Sequence, residues 1–239
     1  MNIMKNKLII LFSVISAILL GFNSCEKSYI TGGIQDVNQN SKITTYAYLQ
    51  SKPAFDTLVK CIDAAGLKDA INASGTTFFA TTNYTILTYL GKRSVYVQNH
   101  FNQNGKFGLD SLLYYLANNV KGTRDSLKMY LFSQKLTYSV LTTTGKFYKS
   151  GFAKDSAIVS YETTIDEKLG YNSNYSTYPK VIYFAHLNKP YPLSDANPSK
   201  DIPSDVGDRV LCASTGINTS NGVVHVLSPS HSLFFNRYK

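Results

Sequence analysis

Asn221-Gly222-Val223-Val224-His225-Val226-Leu227-Ser228-Pro229-Ser230-His231-Ser232-Leu233-Phe234-Phe235 is the stretch whose reading decides the fold. Asn221-Gly222 signals a tight turn, because both residue types tolerate the positive φ that a two-residue hairpin demands. Residues 223–227 follow as a β-branched run without a breaker, the pattern of a strand buried on both faces. Pro229 has no N–H to give a ladder and stops it. Leu233, Phe234 and Phe235 are apolar enough to close a core. A buried strand so late in 239 residues must pair with an element made much earlier.

The earlier elements read as follows. Ser51 can cap a helix, Pro53 suits its first turn, and Phe55, Leu58, Val59 and Ile62 fall at i, i+3, i+4 and i+7. Gly66 ends that helix, and residues 67–73 give a second short helical turn. Thr76-Thr77-Phe78-Phe79-Ala80-Thr81 is a β run, and Asn83 is placed to cap a helix carrying Ile86, Leu87 and Leu90. Residues 94–108 are polar and read as a loop. Asp110 is expected to cap a helix with Leu109, Leu112, Leu113 and Leu116 on one stripe. Residues 135–150 read as a hairpin, with 137–143 alternating, Gly145 at the turn and 146–149 returning. Strands are expected at 157–163, 180–187 and 210–213. Two connections are longer than these elements need: 170–179, rich in Tyr and Asn, and 190–208, which holds four of the seven prolines. No internal repeat is present, and one domain accounts for the pattern.

Asn221-Gly222-Val223-x-His225-Val226 closely resembles the closing motif of fasciclin-like (FAS1) domains. A second likeness lies at Thr77-Phe78-Phe79-Ala80-Thr81-Thr82-Asn83-Tyr84-Thr85-Ile86, similar to the family's Thr-x-Phe-Ala-Pro-Thr-Asn-x-Ala-Phe. Phe79, Ala80 and Asn83 match; Thr81 stands for the proline and Ile86 for the final phenylalanine. The family's Tyr-His pair after its paired leucines is absent, since Tyr115 is followed by Leu116, so the receptor binding of animal members is not carried over. The resemblance implies an α+β fold, a β-sheet wedge or sandwich with helices packed at one side. It implies a single domain over 41–239, with loop insertions near 170–179 and 190–208. Phe79, Ala80, Asn83, Asn221, Gly222, Val223 and His225 would be its structural signature. It also implies a non-catalytic adhesion or interaction module outside the cytoplasm, binding a protein or matrix partner. The alternative is a glycan-binding accessory lipoprotein of an outer-membrane uptake system.

The N-terminal residues address location. Lys5 and Lys7 form a positive n-region, and residues 8–20 are an unbroken apolar and small-residue run too short for a comfortable membrane span. Gly21-Phe22-Asn23-Ser24-Cys25 then resembles a bacterial lipobox, with Cys25 as the lipidated first residue. Residues 1–24 are read as a lipoprotein signal peptide and 25–40 as a flexible polar tether. The expected location is the cell envelope of a Gram-negative bacterium, lipid-anchored at Cys25, in the outer membrane on its periplasmic or surface face. Without residues 1–24 the chain keeps 22 basic against 15 acidic side chains, a net charge of +7. The basic residues are scattered singly apart from Lys92-Arg93, which describes a solvated surface and not a nucleic-acid site.

Little in the remaining residues points to catalysis. Cys61 and Cys212 are left after the lipid takes Cys25; they could pair in an oxidising compartment or pack as small buried hydrophobes. His225, alone in an apolar run, reads as a core residue with a hydrogen bond, and His231 could approach it across the bend at Pro229. Two histidines make no metal site. Asp195, Asp201, Asp205 and Asp208 fit no calcium-loop spacing. No nucleophile elbow, zinc helix, phosphate loop or dinucleotide glycine pattern occurs, so neither an enzyme nor a cofactor is expected. Tyr171, Tyr175, Tyr178, Tyr183 and Tyr191 gather around the two long connections. Tyr175, Tyr178 and Tyr191 are the candidate contacts, because an aromatic ring offers large area at low entropy cost.

Overall fold

The computed structural model describes residues 42–152, 156–174 and 177–236. Helices α1 (Thr45–Gln50), α2 (Asp56–Ala64) and α3 (Lys68–Ile71) lead into strand β1 (Thr76–Ala80). Helices α4 (Asn83–His100), α5 (Leu109–Ala117) and α6 (Thr123–Leu127) follow. The chain then builds β2 (Leu131–Phe132), β3 (Lys146–Lys149), β4 (Ser156–Thr163), β5 (Lys180–Leu187), β6 (Gly207–Asn218) and β7 (Gly222–Leu227). The fold is α+β. One seven-stranded sheet runs β2-β1-β7-β6-β5-β4-β3.

The last strand pairs with the first. β7 lies parallel to β1, with Thr76 opposite Gly222 and so on to Ala80 opposite Val226. Every other pairing is antiparallel. Both strands are buried along their whole length, because they sit mid-sheet with matter on each face. On one face Thr76 donates its hydroxyl to the Ile71 and Ala73 carbonyls at the end of α3. On the other, Thr77 donates to the Gln134 carbonyl and accepts from the Leu136 N–H.

The sheet folds over on itself. Phe79 of β1 and Phe184 of β5 have ring centroids 4.7 Å apart, yet three strand steps separate them, about 14 Å in a flat sheet. β6 makes the corner. Its residues 207–211 pair with β5 and its residues 212–218 with β7, with two register shifts in the second half. Phe79, Phe132, Phe184 and Tyr130 meet inside the fold, within a core that also takes in the helices. Phe234 and Phe235 plug it: Phe235 stacks on Phe184 and Tyr130, and Phe234 meets Tyr89 edge-on.

Several local expectations are corrected. Ser51 does not begin a helix; it ends α1, and Pro53 opens a one-turn 3₁₀ segment before α2. Thr82, not Asn83, is the N-cap position of α4, and Gly108, not Asp110, that of α5. Residues 94–100 are helical because Tyr89, Arg93 and Phe107 give α4 a buried side that its polar composition hides. The stretch 137–143 is turn and coil; β3 pairs with β4 instead. Gly222 does not have a positive φ. It is needed for room, since a Cβ there would lie 2.4 Å from the Thr76 carbonyl oxygen.

Candidate interaction surface

The motif residues turn out to be pins. The Asn221 side-chain oxygen accepts from the Thr45 N–H at 2.7 Å, and its amide nitrogen reaches the Ile71 and Ala73 carbonyls at 3.2 and 3.3 Å. One side chain thus joins the start of α1, the end of α3 and the closing hairpin. Asn83 works the same way over a shorter span, accepting from the Thr57 N–H and donating to the Pro53 carbonyl. Phe79, Ala80 and Val223 are fully buried.

His225 is buried against Phe79, ring centroids 5.1 Å apart. The Gly216 N–H donates to Nδ1 at 3.1 Å, so the proton sits on Nε2, which donates to the Leu136 carbonyl at 2.8 Å. Burial lowers its pKa to about 4, against the opposing effect of the Leu136 bond. With both nitrogens committed and the ring neutral, it ties β6 and the 134–136 segment to β7. His231 does not join it. Its Nε2 lies 2.8 Å from the Tyr130 hydroxyl, which also accepts from the Phe234 N–H, and its ring meets Phe235. Burial first, and the neighbouring His186 second, lower its pKa to about 3. This Tyr130–His186–His231–Phe235 cluster is not marked in the sequence, because its members come from three separate segments.

Cys61 and Cys212 are buried free thiols. Burial pushes the Cys61 thiol up to about 12 and that of Cys212 higher still, so both remain protonated. Among the described residues, no group of three His, Cys, Asp or Glu side chains could hold a metal ion. No described helix is long and apolar enough to cross a membrane.

The two long connections differ in kind. The one between β5 and β6 is laid on the sheet. Ser199 is fully buried, its N–H donates to the Thr144 carbonyl and its hydroxyl to Ser160 on β4. Ile158 and Ala185 are buried yet lie outside the main core. Gly145, at φ +93, lets the backbone pass where a Cβ would lie 2.9 Å from Ile158 and 3.1 Å from Ser199. Tyr191 is half-buried, and its hydroxyl donates to the Pro198 carbonyl of the same loop. This loop closes the outer side of β4 and β5.

The connection between β4 and β5 stands out instead. The Thr164 N–H donates to the Pro179 carbonyl at 2.9 Å and closes its base. Just beyond that bond Ile165 is 73% exposed and Tyr178 is 56% exposed. Tyr178 stacks on Tyr171 with centroids 5.7 Å apart and planes within 6°. The expected contact Tyr175, like Cys25, the signal segment and the tether, lies outside the described residues. Tyr183 belongs to neither loop. It is on β5 under the Arg209 guanidinium, 3.5 Å above its ring centroid, and Arg209 also pairs with Glu162 at 2.5 Å.

Among solved structures, the chain is similar to a FAS1 domain pair from the insect cell adhesion molecule fasciclin I. Identity is 13% and the TM-score 0.40, over 76% of this chain and 45% of that one, so the chain spans less than half of that structure's length. No family model and no curated protein matches the chain.

Proposed function

We propose that this chain is a FAS1-like, non-catalytic interaction module held at the cell envelope by a lipid on Cys25, and that it meets a protein or matrix partner through the connection between β4 and β5. One observation carries the reading: Ile165 and Tyr178 stand exposed at the closed base of that loop, with Tyr171 stacked behind Tyr178. Large apolar groups that the protein's own fold leaves uncovered are the common anchors of interfaces. The sequence motifs at residues 77–83 and 221–226 support the family reading, and the Ser24-Cys25 junction supports the anchor. A glycan ligand is the second reading, favoured by the near-parallel Tyr171–Tyr178 stack, whose outer ring face could receive a sugar ring.

Residues 31–239 form one compact unit, and the core lies entirely within it. Arrays of envelope proteins and glycans probed with that unit should yield a ligand whose binding is lost in Tyr178→Ala and Ile165→Ser at unchanged Tm. Binding that survives both changes refutes the loop as the contact. For the anchor, Cys25→Ala should move the full chain from the detergent phase to the aqueous phase. Unchanged partition refutes it.

A further inference from the structure

Helix α4 has two apolar sides. Ile86, Tyr89, Leu90 and the stem of Arg93 form the buried one. Tyr84, Leu87, Gly91 and Val95 follow at i, i+3, i+7 and i+11, which places them on a single stripe along the opposite side. Tyr84, Leu87 and Val95 are each more than half exposed, and a Cβ at Gly91 would meet nothing within 4 Å. At 1.5 Å per residue this uncovered stripe is about 16 Å long. A surface helix ordinarily has a polar outer side, so the stripe needs a partner.

We infer that this side of α4 lies against an anionic lipid bilayer, an inference that rests on the anchor proposed at Cys25. Charge and reach both favour a bilayer. Residues 70–109 contain no Asp or Glu, while the exposed Lys92 and Lys106 fall among them. A helix without carboxylates of its own suits lipid phosphates and is a poor seat for a basic partner; a second copy would bring like charges together across a two-fold axis. Tyr and Phe favour the boundary between headgroups and acyl chains, where Leu and Val can be inserted a few ångströms. From Cys25 to Lys42 is 17 residues, at most about 60 Å of chain, so a lipid on Cys25 keeps the domain close to the bilayer. A lipid on Cys25 would hold the domain near the bilayer at one point, and a second contact sets which side of the domain faces it. The helix stripe supplies that second contact, on a surface separate from the Ile165–Tyr178 loop.

The test needs no anchor. Residues 31–239 should sediment with vesicles of phosphatidylcholine and phosphatidylglycerol in a 3:1 ratio at low salt. Binding should weaken on phosphatidylcholine alone and in high salt. The double substitution Leu87→Glu with Val95→Glu should lower partition by about tenfold or more at unchanged Tm. Equal sedimentation of parent and variant overturns the inference, as does absence of binding at millimolar lipid. So does a dimer, seen by light scattering, that the variant abolishes while vesicle binding is nil. Failure of the Cys25→Ala fractionation bears on the anchor and leaves this vesicle result independently readable.

Discussion

Phe79 and Phe184 touch ring to ring at 4.7 Å although β7 and β6 lie between their strands in the hydrogen-bonded order. The contact exists only because the sheet turns back on itself at β6, so it reports on the fold as a whole. Phe79→Ala should cost about 3–5 kcal/mol in denaturant unfolding, as aromatic truncations in closed cores do. A double-mutant cycle of Phe79→Leu with Phe184→Leu should show coupling above about 0.5 kcal/mol. Simple additivity would mean that the rings do not share a cavity.

Asn221 should be worth more than an ordinary turn residue. Asn221→Ala strands the Thr45 N–H and leaves the Ile71 carbonyl with the Thr76 hydroxyl alone, and should cost about 1–3 kcal/mol. Asn221→Asp keeps the acceptor for Thr45 but turns an oxygen toward the Ile71 and Ala73 carbonyls, and should be no better than alanine. Hydrogen exchange should then quicken at Thr45 before it does in β4 and β5.

Two glycines should respond with opposite signs. Gly222→Ala drives a Cβ toward the Thr76 carbonyl oxygen and should destabilise by more than about 1 kcal/mol, opening the β1–β7 pairing. Gly91→Ala, in the open on α4, should stabilise by about 0.5–1 kcal/mol. Thermal melts of both variants decide the matter.

Stability should fall with acid. His225 and His231 are buried and neutral, with pKa values lowered to about 4 and about 3 from the ordinary 6.5. Below pH 6.5 the unfolded chain takes up protons that the folded chain refuses, so the stabilisation present at neutral pH is lost as pH falls toward 4. The slope should approach about 1.4 kcal/mol per pH unit for each histidine. Urea midpoints from pH 7.5 to 4.5 check this. His231→Phe should flatten the curve in part, and an unchanged slope would place the acid sensitivity elsewhere.

The sequence by itself determined the α+β class and the first and last strands of the core, while the expected strand at 210–213 proved to run 207–218. Two segments, 76–80 and 222–227, carry their own evidence in apolar runs bounded by turn residues, and those local rules held in the folded chain. The sequence also marked Asn221, Gly222 and His225 as special, though for reasons that only packing supplied: a three-way amide pin, room for a carbonyl and a doubly bonded neutral imidazole. Tertiary structure alone decided the rest. The last turns of α4 are polar in composition, and they are helical because Tyr89 and Arg93 pack with Phe107 from beyond the helix, with Tyr96 under the Arg93 guanidinium. The Thr-rich stretch 137–143 alternates like a strand, yet β3 finds its partner in β4. Of two loops that read alike, one became a cover because Ser199 reaches Ser160, while the other was left exposed at Tyr178. Periodicity and turn chemistry act over a few residues and are therefore legible in sequence. Which distant surfaces meet depends on the whole chain being folded at once, and no local pattern encodes it.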